Sequence, residues 1–227
     1  MPSCRLYPTA DPALRPALVE RGRALPTSVL SDQLERFGAV RGLLPLLGRA
    51  PDTRLAGPAL TVRTRPGDNL AVHLAIDLAE PGDVLVVDAG AFVDRAVMGE
   101  IVYRHAVARG IAGVVVDGAV RDGADIARGP VPVFCRGVTH LGPSRHGPGE
   151  VRGPVAVGGA VVQAGDLVVG DADGLVVVPR ERADEVVGAG EAAFAGEADQ
   201  LAAADRGALD RSWLGAVEVV EVDRARG

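Results

Sequence analysis

The chain contains no lysine, because all 24 of its lysine-plus-arginine positions are arginine. Catalysis through a Schiff base needs a lysine amine. The absence therefore excludes an imine-forming aldolase and a pyridoxal-phosphate enzyme, and it also excludes a P-loop, whose motif requires lysine. An enzyme of this sequence that breaks carbon–carbon bonds needs a metal ion or another electron sink.

Aromatic residues, cysteines and long apolar runs are also scarce. Aromatic residues make up 3% of the 227 positions and hydrophobic residues 48%, which predicts a core of Val, Leu, Ala and Ile. Two cysteines, Cys4 and Cys135, are too few for a disulfide framework and favour a reducing cytoplasm. No stretch approaches the roughly 18 apolar residues of a membrane span, and residues 1–23 contain no apolar signal-peptide core. We therefore expect no membrane partner.

The 30 acidic residues outnumber the 24 basic ones, which gives a formal net charge of −6. A nucleic-acid-binding protein needs a basic surface to neutralise phosphates, so we expect no nucleic-acid partner. The chain also lacks the glycine fingerprint of a nucleotide-binding fold, which leaves a methyltransferase without support.

Helix and strand patterns alternate along the chain, and short strands follow Gly153. Helices are predicted near Pro12–Arg21, Ser28–Phe37, Asn69–Leu78, Gly99–Arg109 and Arg182–Arg206. Strands are predicted at Leu55–Val62, Val84–Val87, Gly113–Val116, Val131–Cys135, Val155–Val157, Ala160–Val162, Leu167–Gly170 and Leu175–Val178. The order predicts one α/β domain over residues 1–227, with sheet against sheet against helices. Its N-terminal helices fall within about 12–38 and its C-terminal helix within about 182–206.

Two of the predicted strands, Val84–Val87 and Gly113–Val116, are expected to lie side by side. Ligands of open α/β sheets collect at the carboxyl ends of strands. After the first strand, Gly99 opens a helix, so the free amides of Gly99 to Val102 form a candidate carboxylate site. The alternative is that Gly99 simply begins a helix and binds no ligand, because many helices begin with glycine.

The second strand leads to an adjacent arginine and aspartate, Arg121 and Asp122. The Arg121 guanidinium can clamp a carboxylate or a developing enolate, and the Asp122 carboxylate can bind Mg²⁺ or Mn²⁺. Taken alone, the pair is more simply a surface ion pair, or a cap in which Asp122 begins a short helix over Asp122–Ala127.

The four histidines show no metal-binding spacing. His73 and His105 fall on predicted helices and are interpreted as structural residues. His140 and His146 lie in a loop, Thr139–Gly149, that can reach the cleft. Cys135 follows a strand and is predicted to be a buried apolar filler.

Several ordered motifs together resemble the RraA-like family, which includes the 4-hydroxy-4-methyl-2-oxoglutarate aldolases that also decarboxylate oxaloacetate. The resemblance covers roughly residues 25 to 205. The motifs are Pro26–Asp32, Gly67–His73, Pro81–Asp88, Gly99-Glu100, Gly110–Gly113, Asp117–Asp122 and Ala172–Pro179.

The resemblance implies a three-layer β/β/α swivelling-type domain that assembles as a homotrimer or homohexamer, with active sites between subunits. It implies that the pyruvyl part of a small 2-oxo acid is held by backbone groups of Gly99, Glu100, Ile101 and Val102. Arg121 would contact the same substrate. Asp122 would bind a divalent Mg²⁺ or Mn²⁺ ion directly, and Glu100 would act on that ion through water.

A further acidic residue is implied on the C-terminal helix of a neighbouring subunit, with Glu197 as the first candidate and Asp205 as the second. Two features depart from the family pattern. Met98 stands where the aldolases often carry tryptophan, and the tail Leu209–Gly227 lacks the expected ending. These departures leave the natural substrate open.

The implied function is a metal-dependent pyruvate aldolase with oxaloacetate decarboxylase activity, whose catalytic residues are Arg121, Glu100 and Glu197. The alternative is a non-catalytic regulator that binds and inhibits a ribonuclease, as some members of the family do. The negative charge of this chain would suit a basic segment of such a partner. Only the aldolase requires the acidic residue on the C-terminal helix.

Overall fold

A computed structural model describes residues 2–9, 13–46 and 53–220. The helices are α1 (Pro16–Ala24), α2 (Thr27–Gln33), α3 (Leu70–Asp77), α4 (Glu100–Ala108), α5 (Gly123–Ala127) and α6 (Ala183–Asp205). Short 3-10 helices cover Arg180–Arg182 and Ser212–Ala216. The strands are β1 (Cys4–Leu6), β2 (Ala39–Val40), β3 (Leu44–Pro45), β4 (Leu55–Thr64), β5 (Val84–Met98), β6 (Gly113–Val120), β7 (Val133–Val138), β8 (Gly149–Val151), β9 (Val155–Val157), β10 (Ala160–Val162), β11 (Leu167–Asp171) and β12 (Gly174–Val178).

The parallel strands β4, β5, β6 and β7 form the centre of the fold and are adjacent in that order. Helices α3, α4 and α5 connect them, as the crossovers of a parallel sheet do. All eight residues of β6 are buried, which suits a Val-rich strand covered on both faces. The antiparallel strands β11, β12 and β2 continue from β4, and β9 and β10 form a separate hairpin.

Alternate residues of the strands pack into different cores. In β5, Leu85 and Val87 face the core shared with α3 and α4, whereas Val84 and Val86 face the second layer of strands. The antiparallel strands divide in the same way: Val168 belongs to the core between the sheets, and Val169 packs toward the N- and C-terminal helices. The period of two in each strand thus fixes the order of the layers.

The predicted α/β fold class is confirmed, because sheet packs on sheet and α3, α4 and α5 cover one outer face. The structure adds a detail, since α1, α2 and α6 cover the other outer face. Within the described part of the chain, no helix is long and apolar enough to cross a membrane.

Several predicted boundaries differ from the structure. The strand predicted at Val84–Val87 continues to Met98 through bulges against β6. The helix predicted to reach Phe37 ends at Gln33, because Glu35 and Arg36 both adopt positive φ. The predicted first helix begins at Pro16 instead of Pro12; Pro12 itself lies outside the described residues.

Candidate functional site

The extended strand β5 and its neighbour β6 carry the predicted site at their carboxyl ends. Gly99 follows β5 directly and is the N-cap of α4, and Arg121 follows β6. The Arg121 amide donates a hydrogen bond to the Met98 carbonyl at 2.8 Å, which holds the two strand ends together. The structure therefore brings Gly99 and Arg121 into contact, as the rule for carboxyl ends of parallel strands predicts.

A side chain at position 99 has no room. A Cβ atom there would lie 2.7 Å from both Arg121 Nε and Asp122 Oδ2, and 2.9 Å from Arg121 Cγ. The φ of Gly99 is −132°, a value open to any residue, so close approach and not backbone freedom requires the glycine. The helix start and the arginine–aspartate pair thus form one packed unit.

The Asp122 carboxylate is oriented toward the start of α4. The Glu100 amide donates a hydrogen bond to Asp122 Oδ2 at 3.0 Å. Asp122 occupies the N-cap position of α5 in the left-handed conformation (φ 57°), but its side chain makes no capping hydrogen bond. The capping interpretation is therefore wrong for the Asp122 side chain, and the predicted short helix begins at Gly123.

Arg121 and Asp122 are each partly open to solvent, with side chains 41% and 42% exposed. Arg121 Nε lies 3.6 Å from Asp122 Oδ2, which is too long for a hydrogen bond. Nε is itself buried, and no described residue accepts a hydrogen bond from it. The predicted surface ion pair is therefore present, and within the described chain Arg121 Nε is left without a hydrogen-bond acceptor.

A cleft of about 420 Å³ opens beside this unit. Gly99, Ile101, Val102 and Arg121 form one wall. The rest of the lining, the loop side of the cleft, consists of Asn69 and His73 from the start of α3 and the loop residues Gly142, Pro143, Ser144, Arg145 and His146. The described lining contains two arginines and two histidines but no aspartate or glutamate, so the cleft suits an anion.

The loop side of the cleft is held in place by a buried carboxylate, that of Asp68. Asp68 accepts hydrogen bonds from the amides of His146 (2.6 Å) and Leu70 (3.0 Å) and from the Ser144 hydroxyl (2.8 Å). Burial by itself raises the pKa of the Asp68 carboxyl, but these donors outweigh burial and hold the pKa below its ordinary value. One carboxylate thus ties the loop to the beginning of α3.

Replacing Asp68 by asparagine is expected to lower the free energy of unfolding by about 2–4 kcal/mol at pH 7, because charge-assisted hydrogen bonds to buried donors are lost. The lowered pKa means that the ionised Asp68 contributes fully above its unfolded pKa of about 4 and loses this contribution as the pH falls through the folded pKa. The difference between wild type and variant should therefore shrink below about pH 4.

Urea unfolding at several pH values measures this difference. The matched control is Asp94→Asn, because Asp94 is exposed and its carboxylate forms no hydrogen bond or ion pair with the described residues. An Asp68→Asn protein as stable as the Asp94→Asn control at pH 7 would contradict the structural role of Asp68.

Two of the four histidines line the cleft. His146 does so, as its loop position indicated, and His73 was missed because the helical pattern suggested a structural role. His73 Nε2 is buried without a hydrogen-bond partner among the described residues. Burial, followed by the nearby charge of Arg145, lowers the pKa of His73. His105 instead lies near Asp77 (Nε2 to Oδ1 3.6 Å), and exposed His140 is not part of the lining.

The predicted acidic residues lie apart from the cleft in this single chain. The Glu100 carboxylate forms an ion pair with Arg104 one turn along α4, at 2.7 and 2.8 Å. Glu197 and Asp205 are on α6, which packs on α1 and α2. Among residues 2–9, 13–46 and 53–220, no three His, Cys, Asp or Glu side chains form a group that could hold a metal ion.

The layered sheets, with helices on both outer faces, define a β/β/α swivelling-type domain. A cleft lies between the start of one of its helices and a loop. The model of the RraA-like family (Aldolase/RraA) matches residues 27–177, and the chain belongs to this family.

Several named proteins are similar to this chain in sequence or in structure. A Halalkalibacterium halodurans protein with the provisional name 4-hydroxy-4-methyl-2-oxoglutarate aldolase is 40% identical over 165 residues, which are 73% of this chain and 78% of the relative. A Thermus thermophilus protein named 4-hydroxy-4-methyl-2-oxoglutarate aldolase is 36% identical over 132 residues, 58% of this chain and 78% of the relative. A Streptomyces coelicolor structure, described as an unusual member of the RNase ES inhibitor RraA family, has 30% identity and a TM-score of 0.74, with 85% of this chain and 98% of that chain covered.

Proposed function

We propose that this protein is a divalent-metal-dependent carbon–carbon lyase: a pyruvate aldolase that cleaves 4-hydroxy-4-methyl-2-oxoglutarate-type 2-oxo acids and also decarboxylates oxaloacetate. The observation that carries the proposal is the packed unit of Gly99, Arg121 and Asp122 beside an anion cleft, in a chain without lysine. The names of the two aldolase relatives support the same reaction class.

Asp122 fits a metal ligand of the kind that Mg²⁺ or Mn²⁺ uses. Its carboxylate is partly exposed, and within the described chain Oδ2 accepts from the Glu100 amide while Oδ1 accepts no hydrogen bond. Mg²⁺ commonly binds through one or two carboxylates and keeps several waters, so one protein ligand suffices. When bound, the ion supplies Lewis acidity toward the 2-oxo and carboxylate oxygens of a substrate.

The substrate carboxylate is proposed to lie at the start of α4. The amides of Gly99, Ile101 and Val102 precede the first intrahelical hydrogen bond, which the Tyr103 amide donates to the Gly99 carbonyl at 3.0 Å. The Glu100 amide is engaged by Asp122, so we assign it to positioning that carboxylate instead of contacting substrate. Unpaired amides and the helix dipole favour an anion at this place.

Arg121 is proposed to stabilise the charge that develops when the carbon–carbon bond breaks. Loss of carbon dioxide or of the aldol fragment leaves a pyruvate enolate with negative charge on its oxygen. The Arg121 guanidinium borders the cleft and has an unused Nε donor. A preorganised donor at the site of developing charge costs no reorganisation during the reaction.

An aldol substrate additionally requires a base for its 4-hydroxyl, whereas oxaloacetate does not. Glu100 is the acidic side chain nearest in sequence to the start of α4, although its carboxylate is paired with Arg104 in this single chain. We propose that Glu197, or Asp205 in second place, reaches the cleft from a neighbouring subunit of a homotrimer or homohexamer. Together with Glu100, this residue would position the water that removes the proton.

Removing the metal tests the proposal. We expect purified protein with added Mg²⁺ to release pyruvate from oxaloacetate and from 4-hydroxy-4-methyl-2-oxoglutarate. Excess EDTA should lower both rates at least about 100-fold, because Lewis-acid stabilisation contributes several kcal/mol to such steps. Coupled detection of pyruvate by lactate dehydrogenase measures the rates. Restoration by Mg²⁺ or Mn²⁺ is the control, and chelator-resistant turnover would overturn the metal role.

The second candidate function is inhibition of a ribonuclease, favoured by similarity to the Streptomyces coelicolor structure. The negative net charge suits a basic partner segment. A pull-down and an RNA-cleavage assay with a ribonuclease scaffold separate the two functions. Tight binding and inhibition without pyruvate release would support the regulator and reject the lyase.

A further inference from the structure

We propose that the protein has a second ligand site, an apolar cavity between α1 and the turn before β5, and that this site binds an amphipathic cation: an ammonium group on an apolar body. The site lies at the other end of β5 from the cleft, because Asp83 immediately precedes that strand and Gly99 follows it. The inference does not depend on the proposed lyase activity.

The cavity, of about 330 Å³, lies where the three apolar cores meet. In its lining, Leu60 belongs to the core beside α3 and α4, Ala59 to the core between the sheets, and Val19 to the core beneath the terminal helices. Strand β4 changes its partner at this place, since Pro58 is in register with β11 and Ala59 with β5. The volume falls within the roughly 300–1,000 Å³ that is usual for small-molecule sites.

The lining of the cavity is mainly apolar. It includes Leu14, Pro16, Val19, Ala56, Leu60 and Pro81. A ligand with an apolar body gains free energy when its surface leaves water for such an environment. The side chains belong to α1, β4 and the turn before β5 as well as to the chain before α1, so a bound ligand would contact several elements at once.

The charged side chains of the cavity determine which polar group the ligand carries. The described lining contains three acidic residues, Glu20, Glu80 and Asp83, and two basic residues, Arg23 and Arg152. Arg23 is engaged, because its Nε lies 3.3 Å from Glu20 Oε1 and its Nη2 donates to the Ala56 carbonyl at 2.9 Å. Arg152 Nη2 donates to the Leu78 carbonyl at 3.3 Å. The Glu80 and Asp83 carboxylates therefore remain for a ligand.

These two carboxylates lie close together without a cation in contact. Asp83 Oδ2 accepts a hydrogen bond from the Glu80 amide at 2.9 Å, but neither carboxylate forms an ion pair with a described residue. Burial raises the pKa of Asp83; the Glu80 charge raises it further, while the Glu80 amide and the charge of Arg152 offset part of the effect. A ligand ammonium would relieve both the desolvation and the repulsion.

The same charges distinguish this cavity from the cleft beside α4. The described lining of the cleft contains Arg121 and Arg145 and no acidic side chain, whereas acidic side chains outnumber basic ones in the described lining of the cavity. An anionic 2-oxo acid is therefore disfavoured in the cavity, and an ammonium is disfavoured in the cleft. The two sites are expected to bind ligands of opposite charge independently.

Two probes of matched shape test the proposal. Tryptamine and tryptophol share an indole-ethyl body and differ in whether it ends in an ammonium or a hydroxyl group. Isothermal titration calorimetry compares wild type with Asp83→Asn, which keeps an acceptor for the Glu80 amide, and with Val19→Trp, which fills the cavity. The control is Asp94→Asn, which removes an exposed carboxylate outside the cavity lining.

We expect wild type and Asp94→Asn to bind tryptamine about 10-fold more tightly than tryptophol, as a charge-assisted contact predicts. In Asp83→Asn the preference should fall to within about threefold, through weaker binding of tryptamine alone. Val19→Trp should weaken both probes at least about 10-fold, because the apolar body loses its place. Excess pyruvate with Mg²⁺ should leave tryptamine binding unchanged.

The proposal is overturned if wild type binds neither probe or binds both equally. It is also overturned if folded Asp83→Asn keeps the wild-type preference, if folded Val19→Trp binds both probes as wild type does, or if pyruvate displaces tryptamine. Each of these outcomes leaves the proposed lyase activity untouched, since that activity is measured by pyruvate release. Loss of pyruvate release with intact tryptamine binding would likewise reject the lyase and not the cavity site.

Discussion

Replacing Asp122 by asparagine is expected to lower pyruvate release from oxaloacetate by at least about 100-fold, the scale of losing one strong electrostatic contact in a transition state. Asparagine keeps an oxygen that can accept the hydrogen bond from the Glu100 amide. The variant therefore removes the negative charge while it retains the tie between α4 and the loop after β6. A stable, folded and inactive protein would assign the loss to the charge of Asp122.

Arg121→Ala is expected to produce a comparable loss, because the substrate loses a clamp and the developing enolate loses a donor. The matched control is Asp125→Asn, which removes an exposed carboxylate that pairs with Arg128 three residues further along the chain. Steady-state kinetics with Mg²⁺ at several concentrations separates weakened metal binding from slower chemistry. Full activity in Arg121→Ala or Asp122→Asn would rule out the proposed site, even though related proteins carry the name of an aldolase.

Substituting alanine for Gly99 is expected to lower kcat/KM by about 100-fold without unfolding the protein. The new methyl group would lie 2.7 Å from both Arg121 Nε and Asp122 Oδ2, so at least one of these groups must move. Displacing a positioned group by about 1 Å can cost on the order of 100-fold in rate. The change adds no charge and removes no side chain, so it tests geometry alone.

Gly188→Ala is the matched control, because among the described residues a Cβ at Gly188 would meet Arg21 Nη2 alone, at 4.0 Å. Gly188 lies within α6, where alanine favours the helix by up to about 1 kcal/mol. We expect Gly188→Ala to be fully active and slightly more stable in thermal unfolding. Wild-type kinetics in Gly99→Ala would mean that the close packing of Gly99, Arg121 and Asp122 is unnecessary for activity.

Part of the site could be predicted from the order of residues alone, because it depends on local rules. Two valine-rich runs predicted adjacent strands, and the residues after each run predicted a shared edge. Gly99 does make the contact with Arg121 and Asp122 that this rule implies. The two predicted strands begin where β5 and β6 begin, but both were predicted to end too early. β5, for example, continues to Met98 by irregular pairing with β6. Bulges disturb the period of two, so the local pattern hides them.

The end of α2 shows a conflict between local and tertiary preferences. Residues up to Phe37 have a helical pattern, yet the helix stops at Gln33 and the chain turns through positive φ at Glu35 and Arg36. Gly38 then passes so close to β12 that a Cβ would clash with the Val177 carbonyl oxygen. This contact joins residues far apart in sequence, and the local pattern carries no sign of it.

The sequence by itself determined the α/β class, the exclusion of lysine chemistry and the pairing of Gly99 with Arg121 and Asp122, because residue chemistry, strand period and strand ends are local properties. Only the tertiary structure decided that Asn69, His73 and Arg145 line the same cleft as Gly99 and Arg121. Asp68 precedes the Ser144 and His146 residues that it binds by 76 and 78 positions. A buried carboxylate selects its partners by three-dimensional proximity, and spacing along the chain does not reveal them.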